Sequence, residues 1–426
     1  MEARLVVATR LVVAATLVAV LASGCRGDHA AARRDEPATS LPATTPTTPA
    51  PSIAAPPIAA PPISSLIAAL PQSPDGPQEL TSLDLQIEQA RRTQDSEALI
   101  EGLARRAMLR GRHEDYRAAL DRARAFWAED KHNTRALAAL IRIHTQLHDF
   151  DEAEHRINDL RPLASDRSDW TALEATVAEA RGKPELARDH RERTAKVHPT
   201  PTNLTSLAAN LAMRGELDGA VAMIPRAAAA LHDPSPVLIS WLLVQWGRLY
   251  VQKGELAAAR ELFAEAHERL PGYVDATVQL ATTLRATGGD PDDVVAAALV
   301  AEPHHPELLA LAGRAKDAHA AWAVYLTPPL ERAFADHAAR FYLGPGGDPA
   351  RALALATTND LNRLTLEART LLVEAELANG LVDPACRDAR RLTSGTRAQQ
   401  FVAWRAYTAC GQTAEATLLA QTLGIR

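Results

Sequence analysis

The chain has 426 residues, and its formal net charge is −6 at pH 7. Alanine and leucine are abundant and only 4% of the residues are aromatic, which favours interlocking helices over a sheet. No long run of one charge is present, so the sequence gives no sign of a nucleic-acid partner. The length suits either two or three ordinary domains or one long helical solenoid.

The N-terminal 24 residues have the pattern of an export signal. Arg4 and Arg10 precede the apolar run Leu11–Ala22, which is too short to span a hydrocarbon core of about 30 Å as a helix. The run ends in Leu-Ala-Ser-Gly-Cys, which resembles a bacterial lipobox. The resemblance implies cleavage before Cys25, an acyl anchor on its sulfur, and a membrane location. An uncleaved helical anchor and an ordinary secretory signal with an incidental cysteine are the alternatives.

The residue after the lipidated cysteine bears on which membrane is reached. Arg26, rather than aspartate, follows Cys25. In bacteria with two membranes, the lipobox resemblance then implies the outer membrane, facing the periplasm.

Residues 25–78 are rich in proline, alanine and threonine, which favours extended chain without a packed core. We predict that this segment is a disordered spacer between the membrane and the folded part.

Small residues recur at a fixed spacing in the rest of the chain. One series of alanines advances by 34, 34, 33 and 39 residues, and one series of glycines by 33, 39 and 34. The step of 39 predicts an insertion of about five residues near 233–239. The alanines are Ala119, Ala153, Ala187, Ala220 and Ala259, and the glycines are Gly182, Gly215, Gly254 and Gly288. Both series resume after residue 345 as Gly347, Gly380 and Gly411 with Ala352, Ala385 and Ala416.

The stretch Ser240–Tyr273 shows one unit in full. Trp246 and Gly247 lie in a first helix, Gly254 ends it, and Phe263 lies on the apolar stripe of a second helix. This unit resembles a tetratricopeptide repeat, a family of paired helices with a period of 34 residues. The resemblance implies an all-α, right-handed solenoid of stacked helix–turn–helix pairs, here about nine in number. We predict N-terminal repeats over 79–304, and degenerate repeats with a cap over 305–426.

The family resemblance also implies a concave groove lined by the first helix of each pair. Arginine and tryptophan side chains suit extended peptide segments, although an ordinary solvated face is the alternative for each residue taken singly. The family's lysine–asparagine clamp for a C-terminal carboxylate is missing from the matching positions. The predicted groove residues are Arg135, Arg142, Gln146, Trp241, Arg248, Gln252 and Arg285.

Motifs for catalysis, cofactors or metals are weak. The sequence contains no nucleophile elbow, phosphate-binding loop or zinc-protease motif, so we expect neither an enzyme nor a cofactor. His144 and His148 stand four residues apart, but two histidines alone make a weak metal site. His304 and His305 are expected to be exposed and inert.

Two further cysteines lie near the C-terminus. Cys386 and Cys410 are predicted in neighbouring helices, where a disulfide would fasten the end of the solenoid; two buried free thiols are the alternative.

Taken together, these features of the sequence favour a lipid-anchored scaffold that binds other envelope proteins through its groove. A carrier of glycan, peptidoglycan fragment or lipid is the second hypothesis, and an enzyme with its site hidden in 305–345 is the third.

Overall fold

The computed structural model describes residues 62–164 and 168–425, and these residues form helices and connections without any strand. The predicted signal peptide, Cys25, Arg26 and the linker up to residue 61 lie outside the described residues. The helices are α1 Ile63–Ala68, α2 Gly76–Thr93, α3 Ser96–Arg110, α4 His113–Glu129, α5 Thr134–Gln146, α6 Phe150–Leu160, α7 Ser168–Ala180, α8 Pro184–Val197, α9 Pro201–Met213, α10 Leu217–Ala229, α11 Pro236–Lys253, α12 Leu256–Arg269, α13 Val274–Ala286, α14 Asp292–Ala301, α15 Pro306–Leu311, α16 Ala315–Tyr325, α17 Glu331–Leu343, α18 Pro349–Asn362, α19 Leu366–Ala378, α20 Val382–Asp388, α21 Arg397–Ala409 and α22 Thr413–Leu423, with a 3₁₀ turn at Ala389–Leu392.

From α3 onwards the described helices are stacked in ten antiparallel pairs, close to the predicted nine. The predicted all-α repeat fold is confirmed. Each predicted turn glycine has a positive φ, and His148, which replaces glycine in its unit, adopts the same left-handed conformation with φ 54°. The recurring alanines are buried between the two helices of their pairs, because a larger side chain would hold the helices apart.

The fold departs from the prediction at the end of the linker. Residues 62–78 belong to the folded body, because Leu66 of α1 and Leu70 are buried. Arg269 of α12 donates a hydrogen bond of 2.6 Å to the carbonyl oxygen of Pro71. The proline-rich composition of this stretch hid two apolar anchors, so the predicted spacer is shorter at its C-terminal end.

Helix α11 is the centre of the molecule. It has 18 residues where the first helices of neighbouring pairs have 13, so part of the predicted insertion lengthens this helix. Pro236 begins it and Gly254 follows its last residue. Fourteen of its 18 residues are buried, because most of its side chains are apolar and other helices cover them.

Contacts between distant pairs close the solenoid on itself. The Tyr325 hydroxyl donates a hydrogen bond of 2.7 Å to the carbonyl oxygen of Gly111. Arg112 pairs with Glu302 at 3.0 Å, and Arg332 pairs with Asp149 at 3.0 Å. The first helix pairs therefore contact the chain between the end of α14 and the start of α17. The solenoid makes a turn between these two regions, and the inner side of that turn faces other helices.

Candidate functional site

The structure separates the seven predicted groove residues into three environments. Arg135 and Arg285 are exposed, and Arg142, Gln146 and Gln252 are half-buried. Trp241 and Arg248 are buried, with only 2% and 7% of their surface exposed. These two are less exposed than residues of an open groove would be, because helices of distant pairs pack near them, and both line a cavity that is partly open to solvent.

This partly open cavity, called the central cavity below, has a volume of about 120 Å³. It lies where α3, α4 and α5 meet α11, α13, α15 and α17. Gln146, Trp241 and Arg248 are the predicted residues that it brings together. The other side chains that matter for its chemistry are Tyr116, Gln245, Tyr273, Asp275, His305, Glu307, Phe334 and His337.

The first charged pair of the central cavity joins Arg248 and Asp275. One guanidinium nitrogen of Arg248 lies 2.6 Å and 2.9 Å from the two carboxylate oxygens. Gln279 donates a hydrogen bond of 3.1 Å to Asp275. Burial and the nearby Asp275 carboxylate both raise the pKa of the Tyr116 phenol, so this hydroxyl stays neutral.

The second charged pair joins His337 and Glu307, whose Nδ1 and Oε1 atoms are 3.0 Å apart. Burial alone would lower the pKa of His337, but Glu307 and Asp336 outweigh it and raise that pKa to about 9. Burial would raise the pKa of Glu307, yet His337 holds it below its usual value. At neutral pH the pair is therefore ionised, and His337 cannot serve as a general base there.

Two further histidines near the central cavity are held neutral. Burial lowers the pKa of His305 to about 4. Burial and the Arg363 guanidinium lower the pKa of His148 to about 3. The expectation of an exposed, inert His305 was wrong, because the closed solenoid covers the turn that carries it. His305 lies against Gly111, where a Cβ would meet the imidazole Nε2 at 2.4 Å.

The weak metal candidate does not assemble. His144 lies 3.1 Å from Asp149, whereas His148 contacts the carbonyl oxygen of Arg332 at 3.3 Å. Within the described parts of the chain, no group of three or more His, Cys, Asp or Glu residues could hold a metal ion. Over those same parts, no helix has the length and apolar character needed to cross a membrane.

A second surface, called the N-terminal face below, is open and comprises α2, α3 and part of α5. Arg135 lies 3.6 Å from Glu97. Burial lowers the pKa of Arg142, and the carboxylates of Glu101 and Glu97 oppose that shift. A groove of about 750 Å³ runs beside these charges between α2 and α3. Its lining includes Leu85, Gln86, Gln89, Glu101 and Arg105.

The structure joins Cys386 and Cys410 by a disulfide, with their Cα atoms 6.2 Å apart. This bond connects the penultimate pair to the end of α21, beside the apolar cluster of the C-terminal pairs. The anchor residue Cys25 is outside the described residues, and its lipidation stays a prediction.

Only part of the central cavity is predictable from the sequence. Trp241 and Arg248 are predicted from their positions on a first helix, but Glu307 and His337 lie in pairs whose repeat pattern is degenerate. The largely apolar run 236–244 at the start of α11 is the available signal, because it predicts a helix that is mostly covered by others. Which helices enclose it depends on the curvature of the solenoid, which sequence spacing does not specify.

Comparison with known proteins supports the repeat assignment for part of the chain. The model of the Tetratricopeptide repeat family matches residues 112–177. This segment comprises all of α4, the pair α5–α6 and most of α7. No curated protein matches the sequence.

Solved structures of other helical proteins are similar at low identity. The crystal structure of the APC/C hetero-tetramer Cut9–Hcn1 has 14% identity and a TM-score of 0.41, covering 72% of this chain and 55% of that chain. The human IFIT1 dimer with m7Gppp-AAAA has 14% identity and a TM-score of 0.40, covering 80% and 76%. Yeast Tom70 has 12% identity and a TM-score of 0.32, covering 83% and 100%. The chain thus spans 55% of the Cut9–Hcn1 chain, and none of these likenesses extends to function.

Proposed function

We propose that the chain is a non-enzymatic scaffold of the bacterial cell envelope that binds other proteins and is held at a membrane by acyl chains on Cys25. The observation that carries the proposal is the run of stacked helix pairs, part of which matches the tetratricopeptide model. Stacked repeats present extended surfaces to partner proteins. The lipobox-like sequence supports the anchor, since several acyl chains on one residue bind a bilayer stably. Arg26 supports the outer membrane.

The N-terminal face is the surface that we assign to a partner. The central cavity of about 120 Å³ is too small for a polypeptide segment, whereas the groove between α2 and α3 has a volume of about 750 Å³. Glu101 lines this groove, Arg135 pairs with Glu97, and both carboxylates act on Arg142. An extended segment with charged and small apolar side chains would fit this pattern, because charge complementarity fixes its register.

The chemistry of the central cavity supports a non-enzymatic function. His337 and Glu307 are paired and ionised at neutral pH, and His148 and His305 are held neutral, mainly by burial. None of the four has its pKa near 7, where a general acid–base group works best.

The anchor is tested by expressing the full chain beside a Cys25→Ser variant, separating membranes and measuring intact masses. We expect membrane-bound wild type that lacks residues 1–24 and carries added acyl mass, and an unlipidated variant. Two equally soluble, unmodified proteins would contradict the anchor and leave the scaffold proposal to be tested in another compartment.

The partner surface is tested by crosslinking in cells and by binding measurements on the partners so identified. The double variant with Arg135→Ala and Arg142→Ala is expected to bind the partner about tenfold or more weakly. This is the effect of losing one good charged contact. Arg226→Ala, at an exposed arginine of α10, is the matched control and should leave binding unchanged. Equal affinity of all three proteins would show that the partner binds elsewhere.

A further inference from the structure

A cleft, called the C-terminal cleft below, lies where the middle of the solenoid meets its C-terminal pairs. It is partly open and has a volume of about 210 Å³. Its walls come from the turn after α7, the end of α9 and the starts of α19 and α21. The two parts of the chain meet closely here, because a Cβ on Gly182 would lie 2.3 Å from the carbonyl oxygen of Leu364. The cleft shares no residue with the central cavity or the groove of the N-terminal face.

The first turn of α19 supplies backbone donors to this cleft. Leu366 and Glu367, its first two residues, line the wall. N–H groups at these positions have no acceptor within their own helix, and the positive end of the helix dipole favours a bound anion. The third N–H group, that of Ala368, already donates to the Thr365 hydroxyl. Two backbone donors of α19 are therefore left for an acceptor in the cleft.

Gln399 of α21 adds a buried side-chain donor. It lines the cleft, and only 2% of its surface is exposed. Its Oε1 atom accepts a hydrogen bond of 2.7 Å from the Thr396 N–H within the capping box of the helix. This bond sets the orientation of the amide and leaves Nε2 without a hydrogen-bond partner among the described residues. An acceptor in the cleft would satisfy this donor.

Arg391 supplies the positive charge of the cleft. It lines the wall, and its guanidinium donates a hydrogen bond of 3.4 Å to the carbonyl oxygen of Leu364. In the part of the chain that the structure describes, this guanidinium belongs to no ion pair. Arg214 lines the cleft as well, but Glu216 at 2.5 Å and Glu192 at 3.5 Å balance its charge. Arg391 is therefore the cation available to a ligand.

We propose that the C-terminal cleft binds the phosphate group of a small phosphate monoester, held by the Arg391 guanidinium, the Gln399 amide and the first N–H groups of α19. The three terminal oxygens of such a phosphate match several converging donors, including a charged one. The volume of about 210 Å³ exceeds the roughly 150 Å³ of cavities that accept benzene, so a short organic group fits beside the phosphate. This site is independent of the partner surface assigned above.

Other classes of ligand fit the wall less well. A cation would meet Arg391 and the positive end of α19, and the described residues contain no cluster that could hold a metal ion. Glu367 is the charge on the wall that opposes an anion. It lies at the second position of α19, where its carboxylate interacts favourably with the same helix dipole. A bound phosphate therefore competes with Glu367 for the start of the helix.

Three probes distinguish these classes by calorimetry on the full chain. They are glycerol 3-phosphate, its uncharged counterpart glycerol, and acetate. We expect glycerol 3-phosphate to bind at least tenfold more tightly than acetate, and glycerol not to bind. No detectable binding of glycerol 3-phosphate, or equal binding of acetate or glycerol, would overturn the proposal. Binding to phosphatidylglycerol vesicles without binding of free glycerol 3-phosphate would also overturn it, since the ligand would then be a lipid surface.

Gln399→Glu tests the side-chain donor without removing the helix cap. Glutamate accepts the same hydrogen bond from the Thr396 N–H, so the capping box is kept, but the free donor becomes a carboxylate oxygen. We expect at least tenfold weaker binding of glycerol 3-phosphate with little change in thermal unfolding. Undiminished binding by the folded variant would place the ligand elsewhere and overturn the assignment.

Two charge variants locate the phosphate more closely. Arg391→Gln is expected to bind glycerol 3-phosphate about tenfold more weakly, the effect of losing one charged contact. Arg390→Gln is the matched control, because Arg390 is exposed beside it but does not line the cleft, and its affinity should be unchanged. Glu367→Gln should bind more tightly, because the competing carboxylate is gone. Equal losses in Arg391→Gln and Arg390→Gln, or unchanged affinity in Glu367→Gln, would contradict the placement of the phosphate at the start of α19.

Discussion

The hydroxyl of Tyr325 donates a hydrogen bond to the carbonyl oxygen of Gly111, which lies 214 residues earlier in the chain. Helix pairs in an open solenoid contact only their neighbours. This bond, with the ion pairs of Arg112 and Arg332, instead joins the two ends of a turn. Because of these contacts, the inner side of the turn, where the concave groove is predicted, narrows to the partly open central cavity.

We expect Tyr325→Phe to lower the free energy of unfolding by about 1–2 kcal/mol, because the half-buried carbonyl of Gly111 loses its donor. Urea denaturation measures the change. Tyr342→Phe is the control, since the buried hydroxyl of Tyr342 has no hydrogen-bond partner among the described residues. Its removal should be neutral or slightly stabilising. Equal losses in both variants would show that the Tyr325 bond does not help to close the turn.

Helix pairing in the central unit depends on Gly247. A Cβ at this position would lie 2.4 Å from Cε1 of Phe263, a rigid ring in the paired helix. We expect Gly247→Ala to destabilise the protein by about 1–3 kcal/mol through overpacking. Gly219→Ala, where the nearest atom would be 3.8 Å away, should instead raise stability by up to about 1 kcal/mol. Thermal unfolding of the two variants checks the opposite signs.

Deprotonation of His337 should lower the free energy of unfolding as the pH rises above neutral. Its pKa is about 9 in the folded chain and about 6.5 when unfolded, because Glu307 and Asp336 outweigh burial. Its contribution, on the order of 3 kcal/mol, is complete below about pH 6.5 and is lost as the pH rises through about 9. Urea denaturation at pH 6.5 and 9.5 measures the loss.

His337→Gln tests that assignment. The variant should have a lower free energy of unfolding than the wild type at pH 6.5, because Glu307 loses its partner. Between pH 6.5 and 9.5 its free energy of unfolding should change little. Below pH 6.5, His148 and His305 act in the other direction. Their folded pKa values of about 3 and 4 mean that stability falls as acid protonates the unfolded chain first. An unchanged alkaline slope in His337→Gln would contradict the assignment.

The disulfide between Cys386 and Cys410 is expected to stabilise the C-terminal pairs selectively. It closes a separation of 24 residues, for which the chain-entropy model gives about 3 kcal/mol. In a protein with Cys386→Ala and Cys410→Ala, hydrogen exchange should quicken in α19–α22 and change little in α3–α6. Uniform acceleration over the whole body would show that the repeats unfold as one unit.

The repeat itself was predictable because its markers are local. Gly254 and Ala259 act within one pair, and even the exception at His148 could be found by its position in the series. The central cavity was predictable only in part. Trp241 occupies a standard position on a first helix, whereas Glu307 reaches the same space from a six-residue helix in a degenerate pair. Their proximity depends on the small rotations between successive pairs, which add up over several pairs. No short segment of sequence predicts the total rotation.

The closed turn also affects how the protein can fold. As the chain is synthesised from its N-terminus, α3–α5 form before the helices that cover their inner side. Their apolar surface stays uncovered until residues about 214 positions later arrive, as the bond between Gly111 and Tyr325 shows. Nearest-neighbour stacking therefore does not complete the body by itself, and the contacts between distant pairs can form only after both parts of the chain have folded.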